Sequence, residues 1–248
     1  MTKILAHTTH PVSILAGVLL VTVLLAMVAS LIYRRRDRGD YRLRVAFWKM
    51  TFAIVCNVWY RLRRIGNQTI PDTGALIIAA NHGCAIDPLL LQAVCPRRYI
   101  SFIIAAEFAR KPWFKPLIEM VECIPVQRDG LDATAARSAM RHLRDGKVLG
   151  IFPEGRIVRP DEPPVEPKEG VAVLALRTGA TVIPVHITGT RFSESVVTPI
   201  LMRHRARVTV GPPVDLSPYL DNSRDRDNIT AAAEAIMRAI RALGQVEA

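Results

Sequence analysis

The residue types best able to do chemistry gather in Asn81-His82-Gly83-Cys84-Ala85-Ile86-Asp87-Pro88, which offers an imidazole and a carboxylate on one short stretch. An apolar run at 75–80 delivers the chain to it as a strand. Asp87-Pro88 ahead of Leu89, Leu90 and Leu91 predicts a helix, with Asp87 as N-cap and Pro88 at the first helical position. His82 then stands at the carboxyl end of a strand and Asp87 across a tight turn from it. A carboxylate on one ring nitrogen fixes the tautomer and steadies the imidazolium, leaving the other nitrogen to take a proton from a hydroxyl. The same residues also suit ordinary helix capping after a strand. Cys84, between them, reads as a small buried hydrophobe more readily than as a thiol nucleophile.

The elements that position this stretch follow from short apolar runs alternating with helical patterns. Strands are predicted near 75–80, 99–105, 123–126, 148–152, 181–187 and 206–210, and helices near 88–94, 113–121, 131–144, 171–177 and 228–243. This predicts an α/β domain over 66–248, with a mixed, largely buried sheet flanked by helices. Residues 159–167, RPDEPPVEP, form a proline-rich acidic loop.

Before that domain the chain changes character. Residues 13–32 hold no charge, and at about 1.5 Å per residue they match the roughly 30 Å hydrocarbon core of a bilayer. Tyr33-Arg34-Arg35-Arg36 follows, which places the rest of the chain in the cytoplasm by the positive-inside rule. Residues 1–33 are therefore read as a transmembrane anchor. Residues 34–64 carry ten basic side chains against Asp37 and Asp40, a net +8 of the chain's +11. Apolar runs and Trp48, Trp59 and Tyr60 lie between the basic ends, so 34–65 reads as an interfacial or re-entrant amphipathic helical segment, with a second span as the alternative. Such charge calls for an anionic partner. Because the basic residues bracket apolar runs, membrane lipid explains it better than nucleic acid.

The chain has 248 residues, half of them hydrophobic, and its four cysteines show no Cys-x-x-Cys spacing. With histidines scattered as well, nothing in the pattern calls for zinc, another metal or a disulfide framework.

Four blocks line up in order: Asn81-His82…Asp87, Ile124-Pro125-Val126-Gln127-Arg128, Phe152-Pro153-Glu154-Gly155-Arg156 and Val182-Ile183-Pro184-Val185. Together they resemble the glycerophospholipid acyltransferase superfamily, and within it the 1-acylglycerol-3-phosphate acyltransferases, over residues 60–216. The resemblance implies the glycerolipid acyltransferase fold and direct transfer of a fatty acyl group to the hydroxyl of a lysophospholipid. The donor would be acyl-CoA or acyl-carrier protein, a co-substrate, with no bound cofactor. His82 would be the general base and Asp87 its orienting partner. Asn81, Arg128, Glu154, Gly155, Arg156 and Arg159 form the candidate substrate-binding set, Arg128 as a phosphate contact and Glu154 and Gly155 at the glycerol. The family follows Glu-Gly with Thr-Arg-Ser or Gly-Arg-Ser. Here Arg156-Ile157-Val158-Arg159 stands instead, so either Arg156 or Arg159 takes the arginine's place. A lysine that many members carry before a glutamate is also missing from Ala105-Ala106-Glu107, with Arg110 and Lys111 just beyond. Another lysolipid acceptor, a non-catalytic lipid-binding membrane protein and a thioesterase are the competing expectations.

Overall fold

The computed structural model describes residues 41–66, 68–112, 115–127 and 132–245. In chain order these form α1 (Tyr41–Val58), β1 (Arg63–Ile65), β2 (Leu76–Ala80), α2 (Asp87–Val94), β3 (Ile100–Ala105), α3 (Ala106–Ala109), α4 (Lys115–Met120), β4 (Ile124–Val126), α5 (Ala133–Arg144), β5 (Val148–Ile151), α6 (Gly170–Thr178), β6 (Thr181–Thr188), α7 (Thr198–Leu201), β7 (Arg207–Val210), a 3-10 turn (Ser217–Tyr219) and α8 (Arg226–Gln245). Two compact units divide at Thr51/Phe52, and the second holds the whole sheet.

The sheet has seven strands in the order β1-β7-β6-β2-β5-β3-β4. Neighbours run parallel except for β6 and β7, which are antiparallel. β2 and the four strands that run with it, β3 to β6, therefore end on one edge, and β1 and β7 begin there.

Every residue of β2 is buried. Leu76, Ile78 and Ala80 pack with Leu90, Leu91 and Val94 of α2 on one face. Ile77 and Ala79 pack on the other with Leu143 of α5, Leu174 of α6 and Ile236 and Ile240 of α8. A strand covered on both faces has no polar positions to spare, which is why 75–80 reads as one apolar run.

Three findings depart from the sequence reading. Asp87 does not cap its helix. The N-cap is Ile86, and Asp87 is already the first helical residue. Its amide bonds back to the Cys84 carbonyl, a turn that aims the carboxylate at the preceding loop instead. Arg63–Ile65, read as the end of a basic interfacial or re-entrant helical segment, is a strand paired with β7. Buried Cys56 and Tyr60 join the same core, so the globular unit starts ahead of Gly66. The third departure is the two short helices α3 and α7, which extend the predicted set.

Among the described residues no helix is long and apolar enough to cross a membrane. The proposed span at 13–32 lies outside the described residues, as does Arg128.

Candidate active site

His82 leaves the end of β2 with its side chain turned toward Asp87, Nδ1 to Oδ2 at 3.0 Å. The same Oδ2 accepts the amides of Gly83 at 2.9 Å and Cys84 at 2.8 Å. Asp87 is fully buried, whereas 16% of the His82 side chain is exposed. Three donors on one oxygen fix the carboxylate, and a carboxylate can only accept, so Nδ1 carries the proton. Nε2 is left unprotonated in the neutral ring, with no hydrogen-bond partner among the described residues.

The third block meets the first here. Glu154 Oε2 accepts the amide of His82 at 2.6 Å, and the His82 carbonyl accepts the amide of Val158 at 2.8 Å. Glu154 is buried, and desolvation pushes its carboxyl above the usual range, opposed by its hydrogen bond from the His82 amide. Phe152 stacks on the imidazole, ring centroids 4.0 Å apart, and Phe102 stacks on Phe152 at 6.0 Å. Gly150 makes this possible, because a Cβ there would lie 2.3 Å from Phe102 Cε1. The aromatic support was missed in the sequence. The Phe152 of the third block was the signal that could have found it.

The remaining predicted residues divide. Asn81 joins β2 to the end of β6, its Nδ2 donating to the Ile187 carbonyl at 2.9 Å and its Oδ1 accepting the Ile187 amide at 2.7 Å. Gly155 turns the chain at φ +70° beneath Lys168, whose Cε lies 2.4 Å from where a Cβ would stand. Lys168 thus brings an ammonium to the third block, and it forms no ion pair among the described residues. Arg156 pairs with Glu162 and holds that carboxyl below its usual range. Arg159 pairs with Glu194 at 3.3 Å and lies over the Phe192 ring at 5.4 Å. Both arginines are therefore tied to the acidic loop and its neighbour.

Cys84 is a buried thiol that donates to the Arg191 carbonyl at 3.2 Å. Burial pushes it up to about 11, so it stays protonated and non-nucleophilic near neutrality. No group of three His, Cys, Asp or Glu side chains among the described residues is placed to hold a metal.

The acyltransferase family profile matches residues 61–188, from β1 through β6. The chain belongs to the acyltransferase family. The match takes in His82, Asp87, Glu154 and six of the seven strands of the sheet. Within this family, the chain is 31% identical over 156 residues to the 1-acyl-sn-glycerol-3-phosphate acyltransferase of Borreliella burgdorferi, covering 59% of this chain and 60% of that protein. It is 19% identical over 176 residues to the Bacillus subtilis protein of the same name, covering 71% and 84%. The crystal structure of the 1-acyl-sn-glycerophosphate acyltransferase PlsC from Thermotoga maritima shares the fold, with a TM-score of 0.68 at 21% identity over 92% of each chain. The acyltransferase fold expected from the four blocks is thus present.

Proposed function

We propose that this acyltransferase moves a fatty acyl group from a thioester donor, acyl-CoA or acyl-carrier protein, to the free hydroxyl of a lysophospholipid. The acceptor favoured by the names of its relatives is 1-acylglycerol-3-phosphate, with phosphatidic acid as product. The observation that carries the chemistry is a single imidazole with Nδ1 held by a buried carboxylate and Nε2 unengaged among the described residues.

His82 Nε2 takes the proton of the acceptor hydroxyl as its oxygen attacks the thioester carbonyl. A C–O bond forms, the C–S bond breaks, and the proton passes from Nε2 to the leaving sulfur. Asp87 balances the imidazolium in between. A positioned base of this kind contributes about 10²–10⁴ in rate, and holding donor and acceptor together contributes more. Glu154 positions His82 through its backbone. Arg128, Arg156 or Arg159 would hold the acceptor phosphate, and Lys168 is a further candidate because its ammonium forms no ion pair among the described residues. Lifting a long-chain acceptor into water costs about 0.8 kcal/mol per exposed methylene. A site held beside the bilayer by the apolar 13–32 stretch and the basic segment after it, facing the cytoplasm, avoids most of that cost.

The test is a purified-protein assay with labelled acyl thioester, both donor types and a lysolipid panel. Acyl transfer to 1-acylglycerol-3-phosphate, abolished by His82→Ala in a folded protein, is the expected result. Near-wild-type turnover in His82→Ala removes the base. Release of free fatty acid without acceptor points to a thioesterase, and no turnover with any pair points to a lipid-binding protein.

A further inference from the structure

A second basic site lies on the same edge of the sheet. β1 and β7 run opposite to β2, so the residues just before them, Arg61 and Arg205, emerge where β2 delivers His82. Together with Arg191, Arg203, Gly189 and His204 they line a cleft of about 300 Å³. All four arginines are exposed, and none pairs with a carboxylate among the described residues.

The cleft is built on a fixed frame. His204, buried, accepts the Arg191 amide on Nδ1 at 3.1 Å and donates from Nε2 to the Pro199 carbonyl at 2.9 Å. The Tyr60 ring stands edge-on to it at 5.2 Å, and the Tyr60 hydroxyl donates to the Ile200 carbonyl at 3.0 Å. Gly189 sits at φ +72° with the Arg205 carbonyl oxygen 2.0 Å from where a Cβ would be, so only glycine lets these loops approach. The Arg203 guanidinium lies over Trp59 at 5.0 Å. The Arg191 carbonyl accepts from Cys84, two residues from His82, so the cleft adjoins the catalytic loop.

Large apolar side chains stand exposed on the two helices that lead into Arg61 and Arg203. Ile54 and Val58, one turn apart on α1, are 41% and 63% exposed, and Leu201 at the end of α7 is 54% exposed. Ile200 and Trp59 pack into one core cluster, which joins those elements. Unpaired guanidinium groups beside exposed aliphatic side chains match a surface that is anionic at headgroup depth and apolar just below it. A soluble phosphate compound would satisfy the arginines and leave the aliphatic rim in water.

We infer that the Arg61–Arg191–Arg203–Arg205 cleft seats the phosphate of an anionic bilayer phospholipid, with Ile54, Val58 and Leu201 entering the lipid beside it. The bound lipid is distinct from the acceptor, and no step of acyl transfer enters the inference. Its consequence is orientation: the edge that carries His82 is held against the headgroup plane.

Trp59, beneath Arg203, reports on the site. The full chain with Trp48→Phe and Trp113→Phe would be reconstituted in phosphatidylcholine nanodiscs containing either brominated phosphatidylglycerol or an equal fraction of brominated phosphatidylcholine. Quenching of Trp59 should be stronger with the anionic lipid. Each basic residue at an anionic surface is worth roughly fivefold in partitioning, so Arg203→Gln with Arg205→Gln should lower the apparent affinity for phosphatidylglycerol roughly 25-fold. The corresponding double lysine variant should keep most of the preference. Equal quenching by the two lipids overturns the inference, as does a preference that survives the glutamine pair. Loss in the lysine pair as well would make packing on Trp59 the cause, and displacement of the lipid by coenzyme A would assign the cleft to the acyl donor. Either result also overturns it. Because no reading involves turnover, the outcome is separate from that of the acyl-transfer assay.

Discussion

Replacing Asp87 by Asn and by Ala separates the charge of the carboxylate from its geometry. A single oxygen, Oδ2, receives His82 Nδ1, the Gly83 amide and the Cys84 amide, and the side chain is fully buried. Two backbone donors aimed at one position force an asparagine to put its carbonyl oxygen there, so Nδ1–H keeps an acceptor and the tautomer is unchanged. What is lost is charge. A hydrogen bond to a charged group contributes about 1.5–3 kcal/mol against about 0.5–1.5 for a neutral pair, and the imidazolium formed during transfer loses its counter-ion as well. With about 1.4 kcal/mol per factor of ten, Asp87→Asn should lower kcat roughly 10- to 100-fold. That falls short of the ~10⁴-fold loss that follows when such a substitution flips the imidazole tautomer. Asp87→Ala instead strips three partly or fully buried donors of their acceptor, at about 1–3 kcal/mol for each that water does not reach. Its unfolding free energy should fall by about 2–4 kcal/mol, and turnover should be lost with the loop. Initial rates with labelled thioester and denaturant unfolding of the three proteins make the comparison. Wild-type turnover in Asp87→Asn refutes any part for the charge. Equal destabilisation of the Asn and Ala variants refutes the account of the three donors.

Four further outcomes follow from the same geometry. Glu154 has its carboxyl raised in the folded state, so any contribution to stability is greatest in acid and lost as pH rises through the raised value. Glu154→Gln, which can still accept the His82 amide, should remove that loss of stability on going from acid to neutral pH, as read from unfolding midpoints across the range. An unchanged pH dependence contradicts it. Gly150→Ala drives a methyl into Phe102 and through Phe152 onto His82; it should cost about 1–3 kcal/mol and lower kcat, and Phe102→Leu in the same chain should restore part of both. Purely additive effects would show that the rings are not coupled. Cys84→Ala should retain most of the turnover, and alkylation of the wild-type thiol should stay slow until the pH nears its value of about 11; inactivity of a folded Cys84→Ala would revive the thiol as nucleophile. Lys168→Met should raise KM for a phosphate-bearing acceptor more than for a neutral one, measured across the lysolipid panel.

How much of this was legible in the sequence depends on the range of the interaction concerned. The β2 run, with His82 and Asp87 beyond its end, could be read directly, because burial on both faces leaves an unbroken apolar signature, and six of the seven strands lie where short apolar runs place them. The direction of the Asp87 carboxylate could not. Asp-Pro before a leucine run suits a cap as well as a clamp, and only the turn from Cys84 to Asp87 sends it toward His82. Arg63–Ile65 has no strand signature of its own; it pairs because β7 offers a free edge. The ties of Arg156 to Glu162 and Arg159 to Glu194, which a motif comparison left open, were likewise made by the fold. The arginines at 61, 191, 203 and 205 are scattered along the chain. They meet because two strands run against the other five, and that reversal is a property of sheet pairing which no local pattern of residues encodes.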